Sequence, residues 1–211
     1  VPTSGFNVLY GESPVLEVAS NTGQTMVYGN TYTPGGYTLS GFVDGDTAST
    51  VGLSGTAQYS VRLLRGMSTS GHMPVGTWDV VYSSGLASSL GYRVQQKMNP
   101  PGGELTITPI ALSSVTGITA SDKTYNGTTA ATIDVSNASL TGLLANDQAA
   151  LSTAGATGSF ANKNVGQNKT VTVNGLALTG SDADNYTFSG VTTTASITPA
   201  NISMVSGIAV A

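Results

Sequence analysis

The residues of this sequence that could bind a metal ion are concentrated in the short acidic segment SDADN. Asp182, Asp184 and Asn185 offer carboxylate and amide oxygens, which are the ligands that Ca²⁺ takes in proteins. The segment lacks the distal Glu with which an EF-hand loop ends, and Asp and Asn also favour tight turns by bonding their own backbone. The spacing therefore predicts a turn, with a calcium site as the alternative.

A second acidic segment, GFVDGD, contains Asp44 and Asp46 and has the same two interpretations. Asp147 occupies the corresponding place in the later segment GLLANDQ. Because an Asp recurs at both places, we predict that the two residues share a structural role, such as capping a helical turn.

His72 is the only histidine, and the sequence contains no cysteine. A zinc site needs several His or Cys ligands, and a Ser-His-Asp triad needs its histidine in a preformed pocket, whereas His72 lies in a Ser- and Gly-rich loop at residues 65–74. The glutamates are Glu12, Glu17 and Glu104, and their spacing places no pair of carboxylates around a glycosidic bond. We therefore predict that the chain is not an enzyme and holds no cofactor, apart from the calcium alternative.

Aromatic residues offer one way to bind a carbohydrate. Trp78 and Tyr82, together with Tyr92, could form a platform for a sugar, and His72 lies in the preceding loop. Trp78, Val80 and Tyr82 alternate as they would on a strand, however, and tryptophan is mostly buried in proteins. The pattern favours core packing and leaves Trp78, Tyr82 and His72 as candidate residues for binding a glycan.

Three further tyrosines, Tyr28, Tyr125 and Tyr186, stand at equivalent places of a repeated pattern. Recurrence of this kind predicts a structural role, namely a buried ring whose hydroxyl bonds to the backbone. A Lys–Asn isopeptide cross-link is a further alternative, although it needs a buried lysine, and Lys123, Lys163 and Lys169 of the second module have polar neighbours, while the first module has only Lys97.

Composition narrows the classes of function. Hydrophobic residues make up 39% of the sequence, enough for a packed core, whereas charged residues make up only 9%. Seven Lys plus Arg residues and a net charge of −4 leave no basic patch for nucleic acid or for an anionic membrane surface. No stretch approaches the roughly 18 apolar residues that span a bilayer. We predict neither a nucleic-acid partner nor membrane insertion, and we expect the chain to be a fragment of a longer protein.

The candidate residues lie on a repeated pattern. Val75-Gly76 and Ile107-Thr108-Pro109 recur ninety residues later, and the residues after Pro199 repeat those after Pro109. Tyr28-Gly29 is echoed by Tyr125-Asn126-Gly127, and the two tyrosines are ninety-seven residues apart. We assign the departure from the ninety-residue spacing to the loop at 65–74. The repeats predict a cap or a remnant of a preceding module at 1–20, a first module at 21–109, a second at 110–199 and the start of a third at 200–211.

Each module offers about six short apolar-alternating segments separated by Gly- and Pro-rich turns, such as the one predicted at Asn99–Gly103. No segment keeps a helical period for three turns. The pattern predicts an all-β fold of tandem antiparallel β-sandwich modules, Ig-like in the broad sense. The alternative is a β-grasp-like module with one short helix at GFVDGD or GLLANDQ. The short junctions at Pro109 and Pro199 predict a stiff, extended tandem.

Several of these segments resemble known repeats. KTYNGTTAAT (Lys123–Thr132) is similar to the K-x-Y-D-G-T-T motif of YDG repeats, with Asn126 where Asp is usual, and GLLANDQ, FANKNVGQNKTVTV and GLALTGSDADNYTF follow the same pattern. MVYGN, SGFVDGD, PVGTWDVVYSSGL and ELTITP of the first module are similar to the MBG pattern. Both repeats occur in large bacterial surface adhesins of the filamentous-haemagglutinin type, exported by two-partner secretion. The resemblance carries over no catalytic residue.

The resemblance implies a non-catalytic extender of an adhesin at the bacterial cell surface, which projects a distal binding region and has neighbouring repeat modules as its partners. The alternative is an adhesin module that recognises a glycan or a host protein through loops of the first module. The loop at 65–74 supports this alternative because it interrupts the repeat, and loops on rigid scaffolds commonly bind ligands.

Overall fold

Short strands form most of the regular structure. The computed structural model describes residues 12–62, 66–98, 103–203 and 207, and the chain divides into two compact units, Val1–Pro109 and Ile110–Ala211. The regular elements of the described residues are almost all strands, so the all-β prediction is confirmed. None of the described residues belongs to a helix long and apolar enough to cross a membrane.

The first unit contains two sheets. Its strands are β1 (Val15–Ser20), β2 (Gln24–Val27), β3 (Tyr37–Ser40), β4 (Leu53–Arg62), β5 (Gly76–Ser88), β6 (Arg93–Gln96) and β7 (Gly103–Thr108). They form a 4-stranded sheet in the order β2-β7-β5-β4 and a 3-stranded sheet in the order β3-β1-β6. β5 is antiparallel to both of its neighbours.

The core of the first unit follows the predicted alternation. Trp78 and Val80 on β5 are fully buried, and so is Leu16 on β1. Leu105 and Ile107 alternate in the same way on β7. Because burying one large apolar side chain stabilises a fold by about 1.5–3 kcal/mol, these strand faces hold the unit together.

The second unit has one larger sheet and four short pairs. Its strands are β8 (Ile110–Leu112), β9 (Val115–Thr116), β10 (Thr119–Ala120), β11 (Lys123–Thr124), β12 (Ala130–Ala131), β13 (Ile133–Asp134), β14 (Ser139–Leu140), β15 (Ala150–Ser152), β16 (Thr157–Phe160), β17 (Gly166–Asn174), β18 (Ala177–Thr179), β19 (Tyr186–Phe188) and β20 (Val191–Thr198). A 3₁₀ turn spans Ala183–Asn185. The 5-stranded sheet has the order β11-β20-β17-β16-β12, and the pairs are β10-β13, β14-β9, β15-β18 and β19-β8.

The core of the second unit is built from Phe160, Val171, Ala195 and Ile197. Three partly buried side chains, Ala120, Ala131 and Ile133, pack against this cluster. Leu112, Val173, Tyr186 and Val191 of the same unit are also buried. Both units therefore bury aromatic rings together with aliphatic side chains.

The repeat in the sequence is also a repeat in strand register. Gly76 lies opposite Ile107 where β5 meets β7, and Gly166 lies opposite Ile197 where β17 meets β20. The β17–β20 pair has a bulge between Gly166 and Lys169 that the equivalent β5–β7 pair of the first unit lacks. A bulge of this kind inserts an extra residue into one strand and bends it.

Each unit combines the predicted antiparallel pairs with two parallel pairs that we did not predict. In the first unit β2 is parallel to β7 and β1 is parallel to β6. In the second unit β11 is parallel to β20 and β8 is parallel to β19. Alternation of apolar residues determines which face a side chain occupies but not the direction of the neighbouring strand, so the sequence pattern could not reveal these pairs.

The alternative β-grasp fold required a short helix at GFVDGD or GLLANDQ, and this prediction is wrong. Both segments contain a tight turn with a residue in the left-handed region, Asp44 with φ 52° and Asn146 with φ 72°. In the first unit the amide of Asp46 bonds to the carbonyl of Val43 at 2.9 Å and closes the turn. A left-handed residue cannot continue a right-handed helix.

Some predictions lie partly outside the described residues. These are the N-terminal cap at residues 1–11, the loop at Arg65, the turn at residues 99–102, and the third module at residues 204–206 and 208–211.

Candidate functional site

The acidic turn of the first unit is held by a tyrosine hydroxyl. The Tyr92 hydroxyl donates to a carboxylate oxygen of Asp46 at 2.7 Å, and it accepts a hydrogen bond from the Val43 amide at 3.0 Å. Tyr92 comes directly before β6, and its ring is buried beside Leu16 and Val51. One side chain therefore ties the first and last residues of the turn to the core.

The second unit repeats this arrangement with different residues. The Tyr186 hydroxyl donates to a carboxylate oxygen of Asp147 in a short hydrogen bond, and it accepts from the Leu144 amide at 3.0 Å. Tyr186 begins β19 and is buried. We name the two arrangements, Tyr92 with Asp46 and Tyr186 with Asp147, the Tyr–Asp locks. They show that the recurrent Asp residues have a shared structural role, as predicted, but in a tyrosine-bound turn and not as a helix cap.

The surroundings of Tyr92 raise the pKa of its hydroxyl. Burial raises the pKa of Tyr92 above its ordinary value of 10.0, and the carboxylate of Asp46 raises it further, while the bond from Val43 acts in the opposite direction. The hydroxyl therefore stays protonated at neutral pH, as its role as a donor to Asp46 requires.

The candidate calcium ligands differ in their exposure and contacts. Asp182 is 3% exposed, and its carboxylate accepts a hydrogen bond from the Gln148 amide at 2.8 Å. Asp184 is exposed, whereas Asn185 is buried in the 3₁₀ turn. Among the described residues, no three His, Asp or Glu side chains form a group that could hold a metal. The geometry gives Asp182 a structural role, in which it joins the turn to the segment around Gln148.

The candidate aromatic platform lies inside the first unit. Trp78 is fully buried, and its indole nitrogen donates to the Pro74 carbonyl at 2.8 Å. Tyr82 is 6% exposed, and its hydroxyl accepts from the Leu86 amide at 3.0 Å. Neither ring is presented to a ligand, so the binding role considered for these two residues is wrong and the core interpretation is correct.

His72 belongs to a network of hydroxyl groups. Its Nδ1 lies 2.8 Å from the Ser70 hydroxyl, and its amide donates to the Ser68 hydroxyl at 3.0 Å. The Ser70 hydroxyl is also 3.4 Å from that of Tyr28, whose ring meets the imidazole edge-on at 5.7 Å between centroids. A histidine next to a serine could in principle act as a base, but these contacts anchor the loop to a buried tyrosine. His72 is half-buried and serves as part of that anchor.

The recurrent tyrosines do not share one environment. Tyr28 is buried and its hydroxyl reaches Ser70, whereas Tyr125 is 39% exposed, so the prediction of a buried ring is wrong for Tyr125. What recurs at these two positions is a backbone bond. The Tyr28 amide donates to the Thr108 carbonyl at 2.9 Å, and the Tyr125 amide donates to that of Thr198 at 2.8 Å.

The altered signature residue Asn126 forms an exposed polar cluster with a lysine. Its side-chain oxygen accepts from the Lys123 ammonium at 3.0 Å, and from the Thr128 amide at 3.1 Å. Lys123 also donates to the Ala130 carbonyl at 2.8 Å and lies 5.5 Å from the centre of the Phe160 ring. The lysine thus closes the turn after β11. The cluster is exposed to solvent, unlike the buried setting that an isopeptide cross-link needs.

Sequence reasoning missed a groove in the first unit. It has a volume of about 540 Å³ and is lined by Tyr32, Tyr37 and Tyr59, among others. Tyr37 begins β3 and Tyr59 lies on β4, so the chain separates them by many residues. The available signal was the clustering of tyrosines in segments without charged residues, and it does not indicate which tyrosines come together.

Residues 108–196 match the YDG domain family, so the chain contains a YDG domain that covers most of the second unit. Neither the comparison with curated proteins nor that with solved structures finds a match. The YDG prediction is confirmed for this segment, while the MBG assignment of the first unit and the link to bacterial adhesins stay predictions.

Proposed function

We propose that this chain is a non-catalytic extender segment of a secreted adhesin at the bacterial cell surface, where it projects a distal binding region. The YDG domain at residues 108–196 supports this proposal through the resemblance described above. The low share of charged residues, 9%, and the repeated strand register support a building block that is used several times in one chain.

The observation that carries the proposal is the recurrence of the Tyr–Asp lock in both units. Acidic and aromatic residues are those from which catalytic sites are commonly built. Here Asp46 and Asp147 bond to tyrosine hydroxyls, and Asp182 bonds to a backbone amide. These side chains fix turns, which favours a repeated scaffold over a catalytic site.

The alternative function, recognition through the loop at 65–74, has less support. In the described part of this loop, Ser68 is 8% exposed, and its hydroxyl lies 3.1 Å from that of Ser70. Ser70 and His72 are joined to each other and to Tyr28. The hydroxyl and imidazole groups that a ligand would have to contact in this loop thus already bond to one another.

Small-angle X-ray scattering of the 211-residue chain tests the proposal. An extender predicts an elongated particle whose largest dimension does not change with salt concentration. A matched control carries a flexible Gly-Ser insertion between Pro109 and Ile110, which should broaden the distribution of dimensions. A wild-type profile typical of a single compact globule, or one that the insertion leaves unchanged, would contradict the extender function.

A further inference from the structure

The groove of the first unit lies between the outer strands of two sheets. Thr56, Gln58 and Tyr59 on β4 form one wall, and β4 is the last strand of the 4-stranded sheet. Tyr32 and Tyr37 form the facing wall, from the segment that leads into β3. The volume of about 540 Å³ falls in the range of about 300–1,000 Å³ that is typical of small-molecule sites.

One wall of the groove is held in place by a set of hydrogen bonds. The Tyr32 hydroxyl donates to the side-chain oxygen of Gln24 at 3.0 Å, and the Gly35 amide donates to the same oxygen at 2.7 Å. Asn21 adds two hydrogen bonds. Its side-chain nitrogen donates to the Gly35 carbonyl at 2.8 Å, and its backbone N–H donates to the Gly36 carbonyl at 3.1 Å. The wall is therefore organised before any ligand arrives, which lowers the entropic cost of binding.

The chemistry of the lining favours a neutral ligand with both apolar and hydroxyl surfaces. None of the described residues that line the groove is charged. Tyrosine offers an apolar ring and a polar hydroxyl, and Thr56 and Gln58 add neutral donors and acceptors. Burial raises the pKa of Tyr32 and of Tyr59 above 10.0, so both hydroxyls are protonated at neutral pH. A pyranose sugar presents C–H faces to aromatic rings and hydroxyls to such groups.

The wall formed by β4 disfavours the other obvious occupant, an extended peptide added as a further strand. The register of β4 against β5 shifts between Gly55 and Gln58 and again between Gln58 and Tyr59. Bulges bend an outer strand and interrupt the regular row of backbone groups that strand addition needs. These shifts fall within the part of β4 that lines the groove.

We propose that the groove bounded by Tyr32, Tyr37 and Tyr59 binds a neutral saccharide, with Gln58 and Thr56 as hydrogen-bonding partners of the sugar hydroxyls. This role goes beyond the extender function and does not rest on it. It also differs from recognition through the loop at 65–74. The first unit thereby combines a structural position in the chain with a carbohydrate site of its own.

The test applies the whole chain to an array of neutral oligosaccharides of glucose, galactose, mannose and N-acetylhexosamines, with sialylated and uronate-containing glycans alongside. Retained glycans are then titrated by NMR. We expect neutral glycans to bind, and Tyr59→Ala to weaken that binding about 10-fold. Tyr125→Ala, which removes an exposed tyrosine of the second unit, is the matched control and should bind as the wild type does.

Because Tyr59 is partly buried, Gln58→Ala provides a second variant at an exposed position, and far-UV circular dichroism confirms that each variant is folded. Weaker neutral-glycan binding in Gln58→Ala supports the proposal. Four results would overturn it: no neutral glycan bound at millimolar concentration, binding of charged glycans only, equal losses in Tyr59→Ala and Tyr125→Ala, or capture of an extended Thr-Val peptide in place of sugars.

Discussion

The hydroxyl of Tyr92 donates to the carboxylate of Asp46, 46 positions earlier in the chain, at 2.7 Å. Tyr186 and Asp147 form the same contact in the second unit, across 39 positions. Both tyrosines also accept a bond from a backbone amide three residues before the aspartate. The two units thus share a long-range contact that closes a turn against the core.

Removing the hydroxyl from either lock should destabilise its unit. Tyr92→Phe and Tyr186→Phe keep the buried ring but leave an aspartate and a backbone amide without their hydroxyl partner. We expect a loss of about 1–3 kcal/mol in the free energy of unfolding, the usual worth of a hydrogen bond to a charged group. Urea denaturation followed by circular dichroism measures this loss. A Tyr125→Phe control, at an exposed tyrosine, should change stability little. If Tyr92→Phe and Tyr186→Phe lose no more unfolding free energy than this control, the locks do not stabilise the units.

The first unit should lose stability in alkali. The pKa of Tyr92 is raised in the folded state, so the fold favours the protonated hydroxyl. Its contribution is complete below the unfolded pKa of about 10 and is lost as the pH rises through the folded pKa. Urea midpoints followed by the fluorescence of Trp78, the only tryptophan, should therefore fall as the pH rises above about 10. Tyr92→Phe should show a smaller fall, and an equal fall in both proteins would exclude this origin.

Restoring the usual acid of the YDG motif should stabilise the second unit slightly. Asn126→Asp places a carboxylate 3.0 Å from the Lys123 ammonium and keeps the bond from the Thr128 amide. The pair is exposed, so we expect a gain of about 0.2–1 kcal/mol that decreases at high salt. Thermal melts at low and high ionic strength measure it. The gain should vanish in a Lys123→Gln background, and a gain that persists there would have another cause.

Gly85 and Gly175, each followed by a leucine and ninety residues apart, should tolerate no side chain. Gly85 has φ 98° and Gly175 has φ 76°, and a Cβ at these positions would lie 2.1 Å from the Thr56 carbonyl oxygen and 1.9 Å from that of Gly155. Alanine at either position therefore forces the backbone to move, and we expect a loss of at least about 1–3 kcal/mol. Gly190→Ala is the control because nothing lies within 4 Å of its Cβ position. Similar melting temperatures for all three variants would contradict this account.

Local periodicity was sufficient to predict the strands that fill the cores. Trp78, Val80 and Tyr82 alternate on β5, as Val171 and Val173 do on β17, and all five are buried. The burial of these residues could be predicted because a strand places every second side chain on one face. The same reasoning correctly preferred core packing to a sugar platform for Trp78.

Contacts between distant residues could not be predicted in this way. Nothing near Asp46 identifies Tyr92 as its partner, and nothing near Asp182 shows that its carboxylate turns inward to the Gln148 amide. The prediction for Tyr125 failed for a different reason. A tyrosine that recurs in the sequence need not have the same burial in both units, and only the backbone hydrogen bond of Tyr28 recurs at Tyr125. The groove of the first unit was missed for a related reason, since Tyr37 and Tyr59 lie on strands of two different sheets.

The parallel pairs have a mechanical consequence. β2 and β7 run in the same direction, as do β11 and β20, and each pair joins an early strand of its unit to the last strand. A force that pulls the start of β2 away from the end of β7, or the start of β11 away from the end of β20, acts along both strands of the pair. The backbone hydrogen bonds between the two strands are then loaded together in shear, whereas a hairpin pulled from its open end breaks one bond at a time. The parallel direction therefore makes each of these two pairs harder to separate by such a force than a hairpin would be.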